Sequence, residues 1–483
     1  MFVYSEEYWH TRSTGASRND RIHPSTSEIN SALTNVQSNS GSSASEGLRS
    51  YIGRMNYSAY DKYLLEFSFR VDGSSKFIKG HQYGFFPTVA VGWRFTEEEF
   101  LKKYLSSWLS SGKLRASWGK LGDNSGVGRF EQLETLTAMN YMSSDVVKGF
   151  VNKKMINKDL SWEVSTDINV GLDLGFLNNR LRTEIDFYNR LRTGMNRPSQ
   201  MSIHLTGAYS APRANIGDLL NRGLELNLTW KDKIGNVEYS VNLNGAYNRT
   251  VLKEWNEFLS RGWVYLDMPY HFLYVYENNG IAQTWQDIYN NTPQGLSPGD
   301  VIRKDLNGDG IIDGKDKKAY PNIQRDRPTT TYGITLQAAW KGFDISMLFN
   351  GGLGRKDFWL TDFNNTAFAD RRYASTWDHW TEPWSLENRG GEWPRLGTST
   401  DRSDNSYWLY NMNYLRMKNI MLGYNLPKKL LSKISMTNLR IYASAENLFT
   451  VTQYPGLDPE KKNSARDLYP INRSFSIGLN VSF

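Results

Sequence analysis

The last ten residues, Ser474-Phe475-Ser476-Ile477-Gly478-Leu479-Asn480-Val481-Ser482-Phe483, constrain this chain more than any other stretch, because every second one is apolar. A period of two places Phe475, Ile477, Leu479, Val481 and Phe483 on one face of a strand. That face needs hydrocarbon or a core against it. The pattern recurs: Trp162, Val164, Thr166, Ile168, Val170, Leu172, Leu174 and Phe176 share one face, while Glu163, Ser165, Asp167, Asn169, Gly171, Asp173 and Gly175 form the other. A dry core accepts such carboxylates only at a large desolvation cost, so the polar face requires water. Hydrocarbon on one side and water on the other define an all-β, antiparallel transmembrane β-barrel with a wet lumen.

Composition agrees with this and excludes other classes. With 39% hydrophobic residues and no apolar run near twenty, transmembrane helices are ruled out, whereas a barrel strand needs only about ten residues, half of them polar. The absence of Cys removes disulfides, thiolate chemistry and Cys-ligated metals. The 16 Trp and 28 Tyr suit interfacial girdles and ligand-facing loops. The net charge of +7 is scattered among acids with no aromatic stacking platform, which argues against nucleic acid and for an anionic membrane surface. The start Met1-Phe2-Val3-Tyr4-Ser5-Glu6-Glu7 is not a signal peptide, so an exported protein is expected to be processed here or to extend upstream.

Strands are expected near 50–60, 63–72, 85–95, 113–120, 161–176, 180–194, 222–231, 237–250, 329–340, 343–353, 414–426, 438–449 and 473–483. Residues 11–48 are rich in Ser, Thr, Asn and Gly without periodicity, so 1–48 are expected to be an extracellular loop or disordered segment, and 49–483 the C-terminal portion of a barrel. Short turns at Asp61-Lys62, Asn178-Asn179, Asp232 to Asn236 and Lys341-Gly342 alternate with long extracellular loops, chiefly 121–160, 251–328 and 354–413. That asymmetry belongs to bacterial barrels and puts the C-terminus in the periplasm. An odd count of thirteen implies further strands upstream, since single-chain bacterial barrels have even numbers. A soluble repeat protein such as a propeller would show regular blade spacing instead.

Little here supports catalysis. His10, His23, His81, His204, His271 and His379 are dispersed, no nucleophile elbow or zinc helix appears, and nothing selects a pair among the many carboxylates. The sharpest motif is Asp305-Leu306-Asn307-Gly308-Asp309-Gly310-Ile311-Ile312-Asp313-Gly314-Lys315-Asp316. Asp305, Asn307, Asp309, the Ile311 carbonyl, Asp313 and Asp316 fall at positions 1, 3, 5, 7, 9 and 12 of a Ca²⁺ loop, with Gly310 at the sharp turn. The expected role is a structural Ca²⁺ ion, and the alternative is an Asx-rich turn without one. Asp316 replaces the usual Glu and reaches less far. Ligand contacts are expected from Trp377, Trp380, Trp384, Trp393, Tyr407 and Trp408, with Tyr410 nearby, whose flat rings suit sugars or peptides; loop packing is the alternative.

Several stretches resemble the SusC/RagA family of TonB-dependent outer-membrane transporters. They include Asp72-Gly73-Ser74-Ser75-Lys76-Phe77, Leu114-Arg115-Ala116-Ser117-Trp118-Gly119, Leu172-Asp173-Leu174-Gly175-Phe176, Pro298-Gly299-Asp300, Tyr414-Leu415-Arg416-Met417-Lys418, Glu446-Asn447-Leu448-Phe449 and Gly456-Leu457-Asp458-Pro459-Glu460. The resemblance implies a plugged barrel of about 22 strands, of which this chain supplies about the last thirteen. It also implies a SusD-like surface lipoprotein over the loops, coupling to TonB-ExbB-ExbD, and import of glycans or oligopeptides without chemistry on them. The N-terminal plug and TonB box of that family are absent from these residues. A passive porin or an outer-membrane adhesin are the competing readings.

Overall fold

The computed structural model describes residues 1–19, 23, 25, 28–32, 37–105, 108–142, 146–152, 154–202, 204, 211–257, 265–270, 272–325, 327–358, 382–391, 393–395, 405–431, 436–461 and 470–482. Its main element is one antiparallel sheet of 14 strands in strict sequence order. These are β1 (Phe2–Arg18), β2 (Gln37–Ala59), β3 (Tyr63–Ser74), β4 (Tyr83–Trp93), β5 (Leu109–Asp123), β6 (Glu163–Phe176) and β7 (Leu181–Thr193). They continue as β8 (Gly217–Ile234), β9 (Val237–Trp255), β10 (Thr330–Trp340), β11 (Phe343–Leu353), β12 (Tyr414–Asn425), β13 (Asn438–Thr452) and β14 (Ser474–Ser482). Among the described residues β1 and β14 are the two edges of this wall. No described helix is long and apolar enough to cross a membrane, which says nothing against crossing by strands.

All thirteen expected strands are present, together with one that the sequence pattern does not announce. Residues 1–48 are not a loop throughout: Phe2–Arg18 pairs residue for residue with 37–53. The upper part of this hairpin carries Ser, Thr, Asn and Gly on both faces, so backbone pairing forms it without any side-chain period. Fourteen strands also remove the parity inference built on thirteen.

The hydrocarbon-facing side follows the sequence. Phe475, Ile477 and Leu479 are 73%, 84% and 63% exposed, and they pair with Ala445, Ala443 and Ile441 on the side shared with Leu422 and Tyr424, so the terminal strand turns its apolar face outward. Phe67, Val91, Ile168, Phe187, Leu224, Leu243 and Ile441 are likewise exposed on the wall. Aromatic rings gather near the short turns, where the Trp230 Nε1–H donates to the Tyr239 hydroxyl at 3.1 Å and Phe343 lies 4.5 Å from Tyr424. Phe187 and Tyr247 form an opposite row toward the long loops. Two such rows framing an apolar band are the girdles of a membrane barrel.

Two backbone features shape the wall. The short turns use left-handed residues, Tyr60 and Asp61, Leu177 to Asn179, and Lys341 with Gly342, matching the strands' right-handed twist. In β12 the register against β11 slips between Met417 and Asn419, which pair with the adjacent Phe349 and Leu348 and leave Lys418 as a bulge. Below it Ile420 and Leu422 face outward opposite Met347 and Ile345; above it Leu415 and Met417 do so opposite Gly351 and Phe349. The extra residue therefore turns Arg416 toward the inward face. The long connections carry small hairpins, Leu136–Met142 with Val146–Asn152, Phe272–Tyr276 with Lys317–Gln324, and Lys356–Phe358 with Leu409–Asn411.

Candidate functional site

The inward face is a field of paired charges. The Arg115 guanidinium reaches Asp173 at 2.7 Å and Asp186 at 2.9 Å, crossing β6 over Gly171. A side chain at Gly171 would meet Asp186 Oδ1 at 2.5 Å and the Arg115 Nη2 at 2.7 Å, so glycine is what lets the guanidinium lie across the strand. Arg440 and Asp344 repeat the device across Gly423, with Arg440 Nε donating at 3.0 Å. Two recesses open among such groups. One of about 460 Å³ is lined by Asn56, Glu66, Lys113, Arg115, Ser117 and Asn169. The other, of about 820 Å³, is lined by Lys231, Glu238, Ser240, Gln337, Asp344 and Arg440. Apolar residues complete both linings, among them Leu64, Leu65 and Val91 in the first and Tyr239, Ala338 and Ile345 in the second, so each recess offers charged groups beside apolar surface.

At the long-loop edge the turn after β13 is pinned against the wall. Arg416, 2% exposed, donates to Thr450 Oγ1 at 2.8 Å, Glu460 Oε2 at 2.8 Å and Asp458 Oδ1 at 2.9 Å. Lys418 adds a bond to Glu460 at 3.0 Å, and the Asn350 amide donates to the same carboxylate at 2.8 Å. Arg355, also buried, donates to the carbonyls of Arg325, Pro459, Glu460 and Lys461. The separate stretches around Arg416 and Asp458 thus become one buried unit.

A second ionic clamp joins the two longest loops. Arg395 of the 354–413 loop donates to Asp300 at 2.8 and 3.2 Å, and its backbone N–H to the Gly299 carbonyl at 2.9 Å. Asp300 is buried and also accepts from the Ser297 backbone at 2.9 Å. The Trp384 indole donates to Gln283 Oε1 at 2.9 Å, and Ser406 Oγ accepts from both nitrogens of Asn278. Beneath them Leu273, Val275, Phe358 and Trp408 form an apolar core, flanked by Tyr320, Trp393 and Tyr407.

That arrangement decides where the expected aromatic contacts stand. Trp408 and Trp384 are only 3% and 7% exposed, so their rings pack within the loops. Trp393 stacks on Trp408 at 6.3 Å and Tyr407 meets it edge-on at 5.1 Å, both half-buried around the same core. Trp377 and Trp380, like His271 and His379, lie outside the described residues. The charged pins, Asp300, Arg355, Arg395, Arg416, Asp458 and Glu460, do not stand out in the sequence as a site. Their signal is a charge inside each family-like stretch, though spacing alone does not match partners a hundred residues apart.

The 305–316 loop folds as a closed Asx-rich turn. Asp305 accepts from the backbone N–H of Gly308 at 2.7 Å and of Gly310 at 2.9 Å, Asn307 from Asp309, and Asp309 from Ile311. Asp316 is fully buried and accepts from the backbone of Leu306, Asn307 and Asp313; the bond from Asp313 leads in holding its carboxyl below the usual aspartate range. Lys315 Nζ lies 3.9 Å from Asp309 and 3.8 Å from Asp313, a cation already over the open side. No set of three His, Cys, Asp or Glu among the described residues converges as a metal-holding group. Asp305 Oδ2 also accepts from the Thr292 hydroxyl, Asn307 Oδ1 from the Asp309 N–H, Asp309 Oδ2 from the Asn307 amide and Asp313 Oδ1 from the Lys315 N–H. What these groups would offer a cation is therefore their further lone pairs, a hard-donor set of the kind Ca²⁺ takes.

A sheet of this order, apolar outside and charged inside, with pinned loops at one edge, is a wall segment of an outer-membrane β-barrel. The family described as TonB dependent receptor-like, beta-barrel matches residues 4–298, and the chain belongs to it as a TonB-dependent SusC/RagA-type transporter barrel. It is 30% identical to TonB-dependent receptor P3 of Formosa agariphila over 476 residues, covering 90% of this chain and 45% of that protein. It is also 30% identical to TonB-dependent receptor SusC of Bacteroides thetaiotaomicron over 456 residues, covering 90% and 44%. The chain therefore spans about half the length of the curated relatives it matches. Its fold resembles the RagAB peptide transporter with a TM-score of 0.80 at 23% identity, over 100% of this chain and 53% of that one.

Proposed function

We propose that these residues form the C-terminal part of the wall of an energy-coupled outer-membrane importer for oligosaccharides or oligopeptides. The observation that carries this is the match to SusC along 90% of the chain, together with an inward face of paired charges. In this reading the 14 strands belong to a closed barrel of about 22, with short turns and C-terminus in the periplasm and long loops outside. A SusD-like surface lipoprotein covers the loops, and TonB-ExbB-ExbD drives the transporter through a plug. Weak polar contacts along the lumen hold a hydrated substrate while letting it leave. The likeness to the RagAB peptide transporter is one of fold, and a fold alone does not separate peptide from glycan.

The test is uptake of fluorescent oligopeptides and oligosaccharides by cells carrying the full-length transporter. Uptake should vanish when either the transporter or TonB is deleted. Uptake that persists without TonB would make the barrel a passive porin, and surface binding without uptake in unmodified cells would make it an adhesin.

We further propose that the 305–316 loop takes one structural Ca²⁺, with Asn307, Asp309, Asp313 and the Ile311 carbonyl completing the oxygens of Asp305 and Asp316. Chelation by EGTA should then raise protease cleavage within 272–324 and leave the wall strands resistant. Cleavage that is unchanged between added Ca²⁺ and EGTA would leave the loop closed by its own hydrogen bonds and Lys315.

A further inference from the structure

The outward face holds a pair of cations that no carboxylate among the described residues neutralises. Arg222 on β8 stands directly opposite Arg249 on β9, and directly opposite Asn189 on β7. All three share the outward side with Phe187, Leu224 and Tyr247 one row below, which are 51%, 47% and 48% exposed. The inward side at this level belongs to Tyr188, whose hydroxyl accepts from Asn248, with its ring over Gly223. Arg222 Nε donates to Asn189 Oδ1 at 2.6 Å, a neutral partner. Arg249 Nε is buried with no hydrogen-bond partner among the described residues. Like charges set directly opposite on a sheet repel, and a guanidinium on the lipid face is costly unless it lies near the interface.

Its height supplies the reason for tolerance. Arg222 is eight residues along its strand from Trp230, and Arg249 ten along its own from Tyr239. At about 3.3 Å per residue and a tilt of about 40°, both sit roughly 20–25 Å above the aromatic row at the short turns. That is the height of the apolar band, so the two guanidinium groups emerge where hydrocarbon gives way to headgroups. A further outward arginine in the wall shows the alternative solution. Arg49 on β2 stands opposite Glu6 on β1 and bonds it at 2.8 Å. Among the described residues Arg222 and Arg249 have no such carboxylate in register, which leaves a place for a counter-charge from outside the chain.

We propose that Arg222, Arg249 and Asn189 bind the phosphate of an outer-leaflet lipid headgroup, whose acyl chains run down the Phe187, Leu224 and Tyr247 row. Two guanidinium forks give a phosphate several charge-assisted hydrogen bonds at once and relieve the repulsion between them. The site rests on the reading of the wall as a membrane barrel, and it deepens that reading by assigning one lipid contact to named residues. A free phosphate ion offers the same oxygens without the chains, so the source of the phosphate is the point to be tested.

The experiment uses the full-length transporter in detergent, followed by thermal unfolding with three probes at equal phosphate concentration: phosphorylated lipid A, its dephosphorylated form, and inorganic phosphate. Phosphorylated lipid A should raise the unfolding temperature and the other two should not. In the variant carrying both Arg222→Gln and Arg249→Gln its apparent affinity should fall by at least about tenfold. Lys231→Gln, on the inward face, should respond as the unmodified protein does. Equal stabilisation by inorganic phosphate, equal stabilisation by the dephosphorylated lipid, or an undiminished response in the double variant would each overturn the proposal. Insertion into lipid bilayers is measured in parallel. A transporter that inserts but shows no phosphate preference overturns this site alone, whereas one that does not insert overturns the barrel reading and the site with it.

Discussion

Replacing Arg416 with Met should release the turn at 456–461 from the wall and lower stability by about 3–5 kcal/mol. The reason is what remains behind: Asp458 is 2% exposed and draws its charged hydrogen bond from Arg416. Without the guanidinium that carboxylate is buried and uncompensated. Glu460 keeps Lys418 and Asn350 and is harmed less. The expected result is a lower temperature for heat-induced unfolding in detergent and new protease cleavage at the turn. Arg416→Lys should not restore the wild-type behaviour, because one ammonium cannot serve Thr450, Asp458 and Glu460 in three directions. Adding Asp458→Asn to Arg416→Met should recover part of the loss, and if it recovers none, the carboxylate is not the source of the damage.

Acid should act on the same pin. Burial pushes the Glu460 carboxyl up, but the bonds from Asn350 and Lys418 and the charge of Arg416 overcome it and hold the group below its ordinary range. A carboxyl lowered in the folded state contributes stability above its unfolded value and loses it as pH falls through the lower folded one. Protection of the turn should therefore persist at neutral pH and fade only below the ordinary glutamate range.

Asp300→Ala should uncouple the two longest loops. Asp300 holds Arg395 through two hydrogen bonds and caps Ser297, while Gly299 receives the Arg395 backbone. Losing charged hydrogen bonds of this kind costs about 1.5–3 kcal/mol, less than at Arg416 because Arg395 regains water at 36% exposure. Amide exchange is expected to rise together in 272–324 and 382–395 and to stay unchanged in the wall strands. If only one of the two segments responds, the clamp does not join them.

How much of the fold and its site is legible in the sequence follows from which forces act at each place. The strands from β3 to β14 declare themselves because each must satisfy hydrocarbon and water on alternate residues. The first strand and the upper part of β2 do not, since Ser13, Gly15, Ser17 and their partners Ser42, Ser40 and Ser38 are joined by backbone bonds that any residue supplies. The aromatic loop residues can be counted but not oriented. Whether Trp408 offers a face or hides one depends on Leu273, Val275 and Phe358 arriving beneath it, two of them more than a hundred residues earlier in the chain. The ionic pins are hidden for the same reason: Arg416 and Asp458 each read as an ordinary surface charge until the fold brings them together.

The bulge at Lys418 has a consequence for how this wall tolerates change. Strand pleating counts residues in twos, so one extra residue flips every side chain beyond it unless a bulge takes it up. Drawing Lys418 into the ladder, with Met417, Lys418 and Asn419 in simple alternation, would carry Arg416 through the wall to the oily side and strand Asp458 behind it, whereas deleting Lys418 would remove the extra residue and leave Arg416 facing inward. The bulge is thus a parity switch: by taking one residue out of the count it lets Leu415 and Met417 share the oily side with Ile420 and Leu422 while Arg416 reaches its carboxylates behind them.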